Sequence, residues 1–129
     1  MLNDPLANAL SIINNKEKQG QDYCNLKPSS TLLKNALEIL NKEGYVGTFK
    51  ENEDSKGNWL KVNLIGNVNS TGVIKPRFSI TKGGFEKYEK RYLPAKNIGI
   101  IIVSTSQGLM THTKAKEKKI GGRLIAYCY

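Results

Sequence analysis

Five consecutive residues, Ser104-Thr105-Ser106-Gln107-Gly108, place three hydroxyls and an amide directly after the apolar run Ile98 to Val103. Hydroxyls in such a turn have two chemical uses. One is nucleophilic attack, which requires a general base oriented by a third group. The chain has a single histidine, His112, which follows a turn and reads as exposed, and no third group is in evidence. There is no GxGxxG, P-loop, HExxH or CxxC pattern. Cys24 and Cys128 with one histidine fall short of the four ligands of a closed zinc site. They read as buried, reduced thiols, with a disulfide left open. The sequence therefore predicts no catalytic residue, no metal, no cofactor and no small-molecule substrate.

The other use is recognition. Hydroxyls and an amide pair with phosphates, ribose hydroxyls or base edges, and Gly108 lets backbone come close to a ligand. The plain alternative is a polar β-turn without a partner. Cations accompany the turn. Lys75 and Arg77 flank Pro76, and Lys82, Lys87, Lys90, Arg91 and Lys96 follow, with Tyr88 and Tyr92 interleaved. Rings among cations suit unpaired bases, which stack while the cations hold phosphates. Tyrosines packed into a core with solvated lysines around them fit the same pattern. Lys114, Lys116, Lys118 and Lys119 on a short helix read as a surface turned to phosphate or solvent. The candidate RNA contacts are thus Ser104, Thr105, Ser106, Gln107, Gly108, Lys75, Arg77, Tyr88, Arg91 and Lys118.

The charge distribution points the same way. Residues 1–71 carry eight lysines against eight carboxylates, and residues 72–129 carry twelve cations against three carboxylates. The whole net charge of +9 therefore lies in the second half. One-sided charge of this kind implies a polyanion, bound by phosphate neutralisation and counterion release. With 39% hydrophobic residues in 129, a packed core is within reach. No apolar run is of membrane-spanning length, and MLNDPLANAL lacks the pattern of a secretory signal. A cytoplasmic protein without a membrane partner is expected.

These residues need elements to position them. Asn3 or Asp4 can cap a helix with Pro5 in its first position and Leu6, Leu10 and Ile13 on one face. Tyr23–Leu26 reads as a short strand. Ser29 or Ser30 caps a second helix with the stripe Leu33, Ala36, Leu37, Leu40, ended by Gly44. Tyr45–Lys50 and Trp59–Ile65 read as strands. The segment Gly66–Gly72 is the best boundary. Beyond it, Val73–Ile74 and Arg77–Ile80 look extended, Phe85–Arg91 and Thr113–Lys119 helical, and Ile98–Ser104 and Leu124–Tyr129 like strands, with Leu109–Met110 just past the turn. The expected class is α+β. Residues 1–66 form a charge-neutral lobe of order helix-strand-helix-strand-strand. Residues 67–129 form a basic, mainly antiparallel β lobe with short helices.

The block from Val103 to Tyr129, VSTSQGLMTHTKAKEKKIGGRLIAYCY, resembles the universal small-subunit ribosomal protein eight family. DPLANAL near the start and the Pro-Ser-Ser before the second helix match as well, so the resemblance covers essentially the whole chain. GVIKPRF and RYLPA look like the archaeal and eukaryotic branch. The resemblance implies a two-lobed protein of the ribosome. It implies binding to the central domain of small-subunit ribosomal RNA beside neighbouring small-subunit proteins, and help in the early folding of that domain. It maps the RNA-contacting turn onto residues 104–108 and a further contact region onto Asp4, Pro5, Ser29 and Ser30. Bacterial members carry an acid after Gly-Gly where this chain has Arg123, so a contact of that acid does not transfer. A free regulatory protein acting on messenger RNA is the competing expectation, and sedimentation with small subunits separates the two.

Overall fold

The computed structural model describes residues 5–26, 31–54, 57–74, 79–81, 83–95 and 98–129. The chain divides into two compact units, residues 1–71 and 72–129, within the Gly66–Gly72 segment marked in the sequence. The class is α+β, with antiparallel sheets in both units.

The first unit opens with α1 (Pro5–Lys18), whose proline stands at the helix start, where its missing N–H costs nothing. Leu6, Ala9, Leu10 and Ile13 recur at helical spacing and are fully buried. β1 (Tyr23–Leu26) alternates exposed and buried. α2 (Thr31–Lys42) buries Leu33, Ala36, Leu37 and Leu40, and the Tyr45 amide closes its end on the Leu40 carbonyl at 2.9 Å. β2 (Val46–Asp54) and β3 (Gly57–Leu64) follow, and β3 lies central in the sheet order β1-β3-β2. β2 runs four residues past the expected Lys50, to the two-residue connection with β3. Leu60, Val62 and Leu64 alternate with exposed Lys61 and Asn63, so one face of the sheet joins the core and the other meets solvent. Each leucine buried in this way contributes about 1.5–3 kcal/mol.

The second unit is built on β6 (Ile100–Thr105), which pairs with β7 (Gly108–Thr111) on one side and β8 (Gly122–Cys128) on the other. β4 (Thr71–Val73) and β5 (Ser79–Ile80) both pair with β8. Ile100 to Val103 are all buried, so this strand reads as a continuous apolar run instead of an alternating one. It begins two residues later than the sequence suggests. Ile98 is exposed and bridged back to Ala95, with left-handed Gly99 (φ 87°) setting it off from the strand. α3 (Phe85–Tyr92) drives Phe85 into a cluster with Ile74, Ile80, Ile101, Val103 and Leu124. α4 (His112–Glu117) starts one residue before the expected Thr113, because the Thr111 hydroxyl caps it by accepting the Lys114 amide at 3.2 Å.

Candidate nucleic-acid interface

The serine-rich segment is the tip of the β6–β7 hairpin. Thr105 pairs with Gly108, which leaves only Ser106 and Gln107 between the strands. Neither central residue has positive φ, since Lys119 is the one non-glycine with φ > 0 among the described residues. The reversal is absorbed at Gly108, at φ 105°, where a β-carbon would be strained. Thr105 braces the turn from inside. Its hydroxyl donates to the Gly108 carbonyl at 2.8 Å and accepts the Gln107 amide at 3.1 Å. Thr105 is one of the candidate RNA contacts, and both hydrogen bonds of its hydroxyl shape the turn. Ser106 and Gln107 are exposed, and Ser104 is half-buried at the strand end.

Two cations stand beside this tip. Lys118, just past α4, donates from Nζ to Gln107 Oε1 at 3.1 Å. Two residues expected to contact RNA from separate elements are thereby brought together. The second cation, Arg123, was not among the candidates. It lies on β8 directly across from Ser104 and is exposed. The only sequence signal for it was its place after Gly-Gly. Those glycines have a visible purpose. A β-carbon on Gly122 would run into the Ser104 carbonyl oxygen, and one on Gly121 into the Ile80 carbonyl oxygen. Their absence lets β8 close against both β5 and the end of β6 that carries Ser104.

The reading of His112 as exposed is overturned. The ring is 5% exposed, and its Nδ1 accepts the Ile101 amide at 3.0 Å. A lone pair is needed there, so the proton of the neutral ring sits on Nε2, 3.5 Å from Glu89 Oε1 of α3. Glu89 is buried as well and forms an ion pair with Lys116 of α4. Burial pushes the His112 pKa below its ordinary value; the Glu89 carboxylate opposes this and the Lys116 ammonium reinforces it. The cluster ties α3 and α4 to β6, the strand that ends in the hydroxyl turn.

The remaining candidates are dispersed. Tyr88 is half-buried against the core of the second unit, with the Lys87 ammonium 5.8 Å from its ring centre. Arg91 is exposed, and its guanidinium lies 5.6 Å from the ring of Tyr92. Tyr92, Tyr127 and Tyr129 stack in a row at 5.6 and 6.2 Å, so Tyr92 serves packing. Lys75, Arg77, Asp4, Ser29 and Ser30 lie outside the described residues, as do Lys82 and Lys96. Cys24 and Cys128 are buried free thiols.

A hydroxyl-and-amide tip on a braced hairpin, flanked by cations in the unit that holds all the excess charge, is the equipment of a nucleic-acid-binding protein. The comparison with protein families narrows the class. The ribosomal protein S8 family matches residues 4–129, and the chain belongs to it. Membership carries the role of a small-subunit ribosomal protein, associated with the ribosome, its RNA and other ribosomal proteins. The family is structural, not enzymatic.

Proposed function

We propose that this protein binds the central domain of small-subunit ribosomal RNA and assists its folding during assembly in the cytoplasm, beside neighbouring small-subunit proteins. The observation that carries the reading is the tip at Ser104–Gly108, held rigid by Thr105 and bordered by Lys118 and Arg123. A-form RNA hides its major groove, so a short polar tip is suited to a shallow minor groove or a distorted internal loop. Ser104, Ser106 and Gln107 supply the specific contacts and Gly108 the close approach. Lys75, Arg77, Arg91 and Lys118 supply phosphate contacts, and Tyr88 a ring beside them. Asp4, Ser29 and Ser30 form a smaller contact in residues 1–66, and the principal contacts lie in the basic residues 67–129. The GVIKPRF and RYLPA segments favour the archaeal and eukaryotic branch.

Nuclease footprinting on small-subunit RNA tests this reading. Protection confined to the central domain is expected, with log affinity falling steeply with log salt. Protection spread evenly over the RNA would refute it.

A further inference from the structure

The solvent face of the three-stranded sheet in the first unit has a composition that packing does not explain. β3 presents Trp59, Lys61 and Asn63 there, because side chains two residues apart share a face. In register beside them stand Tyr23 and Asn25 from β1, and Lys50 and Asn52 from β2. Asn63 donates to the Thr48 hydroxyl at 3.0 Å. Tyr23 is 48% exposed, far more than a ring kept for the core.

Lys50 and Lys61 are directly paired across the strands. Like charges in that position repel and destabilise the pair. Among the side chains described on this face no carboxylate relieves them; Glu51, the acid next in β2, pairs instead with Lys34 of α2 at 2.8 Å. The Lys61 ammonium rests over the Tyr23 ring, 4.7 Å from its centre. A bridging phosphate would turn this repulsion into attraction. Trp59 lies four residues along β3 from Asn63, the partner of Tyr23. The two aromatics are therefore about 14 Å apart along the strand, with Lys61 midway between their levels.

Rings on an open sheet face, with cations between them and amides around them, form a platform for stacked, unpaired bases. We propose that this face is a second RNA-contact surface, which takes an unpaired strand with its phosphates on Lys50 and Lys61 and its bases on Trp59 and Tyr23. The proposal goes beyond the reading above, which places the principal contacts in residues 67–129. A protein partner is the competing occupant. Paired lysines, with no carboxylate among the side chains described on this face, favour the anion.

Trp59 is the only tryptophan, so its emission reports on this face alone. The full-length protein is titrated with a single-stranded oligoadenylate about eight nucleotides long, and Trp59 fluorescence is followed at several salt concentrations. Saturable quenching is expected. In the double variant Lys50→Gln, Lys61→Gln the slope of log affinity against log salt should be shallower by about 1.4, the contribution of two single-strand phosphate contacts. Circular dichroism checks that the fold is kept. Ser106→Ala should leave the quenching intact while reducing binding to central-domain RNA, so either surface can fail independently of the other. Unquenched emission at saturating oligonucleotide, or an unchanged slope in the double variant, overturns the proposal. So does an amine cross-link from Lys50 or Lys61 to another protein in assembled small subunits.

Discussion

Acidification from about pH 7.5 to about pH 5.5 should cost this protein stability through His112. The ring is neutral in the folded state, because the Ile101 amide occupies Nδ1 and burial disfavours the charged form. In the unfolded chain it titrates near its ordinary 6.5. The folded pKa is the lower of the two. Below 6.5 the unfolded state therefore takes up a proton that the folded state refuses, and stability falls as pH falls. The slope approaches, and cannot exceed, about 1.4 kcal/mol per pH unit, the limit in which the unfolded ring is charged and the folded one neutral. The contribution is fully present above 6.5 and stops falling once the pH passes the folded pKa. Glu17 works in the opposite direction. Burial raises its pKa, against a hydrogen bond from the Gly66 backbone, so its protonation favours the folded state. The control is His112→Asn, whose carbonyl can accept the Ile101 amide but which cannot charge. Urea denaturation of both proteins at the two pH values is the assay. The variant should be weaker at neutral pH by about 1–3 kcal/mol, through lost packing and the lost contact with Glu89, yet lack the additional acid-side loss. An equal loss of stability in the two proteins would refute the argument, since other groups would then carry the whole effect.

Three further outcomes are expected. Thr105→Val removes both hydrogen bonds that brace the hairpin tip; thermal unfolding should show a loss of about 1–2 kcal/mol, and cognate RNA binding should weaken more than binding to an unrelated duplex. Gly122→Ala forces a β-carbon against the Ser104 carbonyl; amide exchange should rise at the β6–β8 ladder, with a destabilisation of about 1–3 kcal/mol. The thiol of Cys24 is pushed up to about 11, chiefly by burial; alkylation by iodoacetamide near pH 8 should be negligible in the folded protein and rapid in denaturant, and prompt reaction without denaturant would contradict the packing.

The helices of the first unit were legible because each has its own local grammar. Pro5 starts one, the stripe Leu33, Ala36, Leu37, Leu40 defines the other, and both patterns lie within a few residues. The apolar strand ending in the hydroxyl turn was legible for the same reason. His112 was misread because its burial depends on distant partners. Its acceptor role is set by an amide 11 residues upstream and its other nitrogen by Glu89 on α3. No window on the sequence contains all three. The bracing by Thr105 is local, yet a hydroxyl in a polar turn serves a partner or its own backbone equally well, and only the hairpin register decides. Lys118 and Arg123 reach the tip from a helix end and from another strand, so their convergence is a property of the sheet. The alternation in Tyr23–Leu26 and Trp59–Leu64 is visible in the chain, but the direct opposition of Lys50 and Lys61 needs the pairing of β2 with β3.

The bracing of the hairpin tip also bears on how recognition is divided between enthalpy and entropy. A loop that must be ordered on contact gives up about 0.5–1.5 kcal/mol for each rotamer-rich side chain it immobilises. Here the backbone from Thr105 to Gly108 is closed before any partner arrives, and Gln107 is already tethered to Lys118. RNA therefore meets a surface with little freedom left to surrender. Discrimination between correct and incorrect RNA then appears mainly in how long the complex survives, and the encounter rate is left to charge.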